Sequence, residues 1–163
     1  MLEELETISS LINKLESEDG ITRVKARKSL VAQGGAAVPP LIEAMKNKND
    51  WTRWEAAKTL AEIGDSTSVQ ALIDALEDDD FSIRWLAAEG LIHVGSSSLK
   101  PLLKELIQRP DSLWLLEGAH HVLHDLRDPE VGQYIRPVIL ALEDMEPSIK
   151  AGIAARSALD TIK

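Results

Sequence analysis

The sequence predicts an all-α fold, a solenoid of about five stacked helix pairs, on three observations. First, the chain repeats itself. Residues 41–64, LIEAMKNKNDWTRWEAAKTLAEIG, lie without a gap over residues 72–95, LIDALEDDDFSIRWLAAEGLIHVG, at a shift of 31. Self-similarity at a fixed period of this size is the signature of stacked supersecondary units. Second, apolar residues inside each unit recur at helical spacing. Third, only 4% of residues are aromatic while 44% are hydrophobic, so the core is built from Leu, Ile, Val and Ala, a mixture suited to helices.

Each unit reads as two helices. In the first, Leu41, Ile42 and Met45, or Leu72, Ile73 and Leu76, form an amphipathic stripe that ends in a polar Asn/Asp turn. In the second, Ala57, Leu60 and Ile63, or Ala88, Leu91 and Val94, form a narrow stripe closed by Gly64 or Gly95. The pattern extends back to Arg23, Ala26, Leu30 and Gly34, and forward to Leu102, Leu103 and Leu106. A fourth second helix is predicted over Asp111 to Leu126. A fifth unit follows from Pro129, its spacing slipped by a longer connection around Arg127-Asp128-Pro129-Glu130. The units run approximately 1–34, 35–64, 65–95, 96–126 and 127–163, within one domain. Neither helix of a unit covers its apolar face alone, so neighbours must stack.

Composition narrows the function. The chain is acidic, with net charge −9, and the excess is confined to residues 59–163, where eighteen acidic side chains face nine basic ones. Such a surface repels phosphate backbones, and the short basic cluster Lys25, Arg27 and Lys28 lacks interleaved aromatics, so no nucleic-acid partner is expected. No apolar run approaches the roughly 18 residues of a membrane span, and the acidic opening is unlike a secretory signal. A cytoplasmic location without membrane attachment is expected. With no cysteine there is no disulfide, thiolate metal site or thiol nucleophile.

The segments Thr52-Arg53-Trp54-Glu55-Ala56-Ala57 and Ile83-Arg84-Trp85-Leu86-Ala87-Ala88, with Pro40, Pro101 and Pro137 in first helices, resemble the HEAT-like repeat named after phycobilisome lyases. The resemblance implies a right-handed α-solenoid whose second helices line the concave wall. It also implies a structural role for Arg23, Arg53 and Arg84, bonded to acidic residues in neighbouring turns. This repeat serves lyase subunits, scaffolds and a metalloenzyme group, so it fixes fold rather than function. The deoxyhypusine hydroxylases use the same kind of repeat and place His-Glu pairs right after the motif Arg. Here those positions read Trp54-Glu55, Trp85-Leu86 and Leu116-Glu117, without histidine.

On that placement, the residue after each motif Arg faces the groove, giving a row Val24, Trp54, Trp85 and Leu116 at spacings of 30, 31 and 31. A second row is Lys28, Lys58, Glu89 and His120. Glu62, His93 and His124 form a third, and Glu55 and Glu117 flank the Trp row. The expected partner-binding set is therefore Trp54, Glu55, Lys58, Trp85, Glu89, His93, Leu116, Glu117, His120 and His124. Trp54 and Trp85 are either groove anchors or packing between repeats; Trp51 and Trp114 fall off the register and are expected to pack near helix starts.

The function that follows is a scaffold holding a segment of another protein in its concave groove, with no cofactor and no catalytic residue assigned, and compatible with an oligomer. The alternative is an enzyme subunit, either bilin-lyase-type, as the resemblance implies, or dependent on a His/Glu metal site, since Glu117, His120 and His124 share a helical face opposite Glu89 and His93. His121 points off that face on the same register.

Overall fold

The computed structural model describes residues 6–126 and 128–162, and among them no strand forms. Five helix pairs follow one another: α1 (Ile8–Lys14) with α2 (Gly20–Gln33), α3 (Val38–Ala44) with α4 (Asp50–Ile63), α5 (Val69–Ala75) with α6 (Phe81–Val94), α7 (Leu99–Gln108) with α8 (Leu113–Asp125), and α9 (Gly132–Leu142) with α10 (Pro147–Thr161). Short 3-10 turns lead into α3, α5 and α7. No helix among the described residues is long and apolar enough to cross a membrane.

Each of the second helices α2, α4, α6 and α8 starts on a polar side chain that accepts hydrogen bonds from otherwise unpaired backbone N–H groups of the first turn. The caps are Asp19, Asn49, Asp80 and Ser112. Their spacings are 30, 31 and 32, a steady lengthening of the unit. Buried positions keep the same spacings: Ala26, Ala56, Ala87 and Ala119 form one inner row, and Leu30, Leu60, Leu91 and Leu123 another. Gly64 ends α4 in the left-handed conformation at φ 66° and ψ 27°, which a side chain would strain.

α2, α4, α6 and α8 stack side by side as one layer. The closest pairing is α4 with α6, and small residues make it. A Cβ placed on Gly90 of α6 would stand 3.2 Å from the Cα of Ala61 in α4 and 3.0 Å from a methyl of Leu72. The other layer carries α1, α3, α5 and α7, whose Leu11, Leu41, Leu72 and Leu102 are fully buried against the first.

The fifth pair breaks this order. α9 packs on α8, and α10 folds back along α7, so the last second helix lies on the first-helix layer. α10 can do so because its inward face is small: Ala151, Ala155 and Ala158 are buried, and Gly152 brings the backbone close to Leu106 and Ile107, with its vacant Cβ position 3.5 Å from the Leu106 carbonyl oxygen. The slipped spacing in the sequence corresponds to this reversal; of the connection, Arg127 lies outside the described residues.

Arginine side chains tie the turns together, Arg23 and Arg53 through carboxylates of the next unit as the resemblance implies, and Arg84 through backbone carbonyl oxygens alone. Arg53 donates through Nη1 to the carbonyl oxygens of Asn47 and Lys48, and grips the Asp78 carboxylate of the next unit through Nε (2.8 Å) and Nη2 (3.1 Å). Desolvation opposes the Asp78 charge, but the Arg53 hydrogen bond and the Asp80 backbone N–H outweigh it and hold the carboxyl below its ordinary value. A depressed folded-state pKa contributes stability that is present above the unfolded value, about 3.9 for Asp, and is lost as pH falls through the folded value. Stability is therefore expected to hold from neutral pH to about 5 and to decline below about 4. Asp78→Asn is expected to cost about 1.5–3 kcal/mol at pH 7, the range for a hydrogen bond to a charged group, and to flatten part of that acid decline. Denaturant melts between pH 3 and 7 check it.

Candidate functional site

The solvent face of the second helices carries the candidate site, and cap spacing decides which residues stand on it. Counting from the caps, the fifth helical residue is Val24, Trp54, Trp85 and then Glu117; one turn later come Lys28, Lys58, Glu89 and His121. The expected rows ended instead on Leu116 and His120, with His124 in the third. They used a spacing of 31 where the structure has 32. The extra residue arises because α7 runs ten residues where α3 and α5 run seven, so the α8 register moves on by one. Leu116 consequently turns into the core at 5% exposure and is not a groove residue.

Trp85 is the most prominent member of the face. Half of it is exposed, its ring lies 4.4 Å from the His121 imidazole and 6.4 Å from Phe81, and His121 in turn stands 3.2 Å from Glu89 and 3.6 Å from Asp125. A hollow of about 260 Å³ opens on its α8 side, lined by Phe81, Arg84, Trp85, Trp114, Glu117 and His121. A shallower one of about 730 Å³ opens on its α4 side, reaching Lys58, Glu62, Glu89 and His93. Trp85 thus forms the ridge between two depressions.

Trp54 behaves differently. It is partly buried against the core, with Lys58 Nζ 5.4 Å and the Arg27 guanidinium 6.0 Å from its ring. Glu55, expected on the rim, is 3% exposed: it accepts from Arg27 at 2.8 Å, and Arg23 Nε stands 3.4 Å away in an ionic contact without hydrogen-bond geometry. It locks α4 to α2 and does not flank the groove.

Trp51 and Trp114 also depart from expectation. Rather than packing near helix starts they are 62% and 44% exposed. Each occupies the second position of its helix, where the motif arginine of the preceding second helix lies over it: Arg23 at 5.1 Å from the Trp51 ring and Arg84 at 4.5 Å from the Trp114 ring. The cap count would have shown this equivalence.

The histidines disperse to separate partners. His120 meets Glu143 of α9 at 3.0 Å, His124 meets Asp125 at 2.8 Å, and His93 Nδ1 lies 2.7 Å from the Ala61 carbonyl oxygen. His121, set aside on the 31-residue register, is the one beside Trp85 and Glu89. The constellation of Glu89, His93, Glu117, His120 and His124 does not converge, and among the described residues no group of three His, Asp or Glu side chains is placed to hold a metal ion.

The family described as HEAT repeats matches residues 8–92 and again residues 69–154. Among curated proteins none matches the sequence. Among solved structures, the chain is similar to one in the complex of CpcE and CpcF of phycocyanin lyase from Nostoc sp. PCC7120. The TM-score is 0.56 at 22% identity, over 93% of this chain and 96% of that one.

Burial separates two neighbouring residues of the original row by their response to truncation. Leu116→Ala is expected to cost about 2–5 kcal/mol through the cavity it leaves, and Trp85→Ser only about 0.5 kcal/mol. Equilibrium denaturation of both variants measures the contrast.

Proposed function

The chain belongs to the HEAT-repeat family, and from that premise we propose that it is an interaction module that holds a segment of another protein across the faces of α4, α6 and α8. The single observation that carries this reading is the half-exposed Trp85, set as a ridge between two hollows with exposed Phe81 and Trp114 beside it. A large rigid ring costs little conformational entropy on binding and buries much area, which is why Trp is enriched among residues that dominate interface energy. Water-exposed aromatic surface of this kind on a well-packed scaffold is otherwise unexplained by the core, which closes without it.

Charged and polar groups surround the ridge: Lys58 and Glu62 on the α4 side, Glu89 and His93 along α6, Glu117 and His120 along α8. Such a rim orients a partner and suppresses wrong ones more than it adds affinity. Further support comes from the similar phycocyanin lyase structure, which is of two protein chains in complex. A protein partner is therefore the class of ligand proposed here, bound on an extended face rather than in an enclosed pocket.

The test compares the protein with its Trp85→Ser variant in capture of proteins from the native host, followed by affinity measurement on whatever the unaltered chain retains. Affinity is expected to fall by about thirtyfold or more, the loss typical of a hot-spot aromatic, with the melting transition little changed. Undiminished affinity in a folded Trp85→Ser protein would overturn the reading.

A further inference from the structure

The three motif arginines hold their own turns alike but do not share the same ionic state. Arg23, Arg53 and Arg84 each direct Nη1 to two carbonyl oxygens of the preceding turn: Ser17 and Glu18, Asn47 and Lys48, Asp78 and Asp79. This leaves one edge of the guanidinium, Nε with Nη2, facing away from the turn. In Arg53 that edge grips Asp78 side-on, and in Arg23 Nε faces the Glu55 carboxylate. In Arg84, which lines the hollow between α6 and α8, the edge makes no hydrogen bond and meets no carboxylate among the described residues.

The cause is a substitution within the array. Asp78 stands two residues before the α6 cap Asp80. Two residues before the α8 cap Ser112 stands Pro110, which offers no carboxylate, and its neighbour Arg109 turns back to Glu105 at 2.8 Å and to Glu77. Arg84 is instead steadied from the side by two rings, Trp114 at 4.5 Å and Phe81 at 5.6 Å from its guanidinium carbon. Stacking fixes the plane of the fork without using its donors, and a planar fork held in place suits bidentate pairing with a carboxylate.

We infer that the hollow between α6 and α8 is a carboxylate-reading subsite, in which Arg84 takes an Asp or Glu side chain of the partner segment as Arg53 takes Asp78. This rests on the docking role of the face. The charge of the hollow sets the direction of the segment as well. Glu117, on the α8 wall, has no ionic partner among the described residues, so the acidic residue sits toward the α6 start and a basic neighbour toward Glu117. His121 does not compete for the acid, being engaged by Glu89 and Asp125.

The test is an NMR titration of the full chain with acetyl-Asp-Asp-amide, the chemistry of the Asp78-Asp79 turn, and with acetyl-Asn-Asn-amide. The Arg84 Nε–H and Trp114 indole N–H resonances are followed. Saturable shifts with the acidic peptide are expected, about tenfold or more weaker with the amide peptide, since a hydrogen bond to a charged group is lost. The Arg53 Nε–H, already occupied, stays unmoved, and Arg84→Lys weakens the response because an ammonium cannot offer the fork. Equal shifts with both peptides, or none at Arg84, overturn the subsite even where Trp85→Ser abolishes capture. Capture retained by Trp85→Ser overturns instead the docking role on which it rests.

Discussion

The close approach of α4 and α6 is the contact on which the rest of the structure depends. Two helices can lie this near only if one presents no side chain where the other presents backbone, and Gly90 opposite Ala61 meets that condition. Once these helices touch, the alanine rows on either side are buried and the leucine rows seal the space to the first-helix layer. A solenoid unit has no other means of covering its apolar face, so stacking distance fixes which residues remain outside. Trp85 is exposed because the seam beneath it closes without it.

Register then converts stacking into surface chemistry. The second helices begin 30, 31 and 32 residues apart, and each added residue rotates the next helix by about 100° relative to an equal-spacing expectation. At α8 that rotation exchanges Leu116 for Glu117 on the outer face and brings His121, rather than His120, against the Trp85 ring. An apolar ridge expected to cross four helices becomes an aromatic cluster centred on α6 with a carboxylate and an imidazole beyond it. Polar groups beside an aromatic platform favour a partner of defined polarity over a greasy helix.

Much of this was legible in the sequence, and the failures have physical causes. The helix pairs and the glycine ends followed from the repeat itself, and the arginine ties from the family resemblance carried by its motif segments. Leu116 was misplaced and His121 passed over because α7 is longer than its counterparts and identity is weak there; Ser112, a capping residue followed by buried Ala119 and Leu123, holds the correction. Trp51 and Trp114 were expected to pack near helix starts because they fall off the groove register, although both stand two residues past a cap, where they are exposed. Glu55 looked like a rim residue because its partners, Arg23 and Arg27, are on a different helix some thirty residues earlier. The folding back of α10 onto α7 was beyond local pattern, since small residues such as Ala151 and Gly152 permit close packing without saying against which helix.

The central claim is that stacking leaves Trp85 outside while the protein is fully folded. Chemical modification of the four tryptophans under native conditions, resolved by peptide mass mapping, tests it most directly. Trp51, Trp85 and Trp114 are expected to react well before Trp54. Protection of Trp85 to the level of Trp54 in the free, folded protein would contradict the claim.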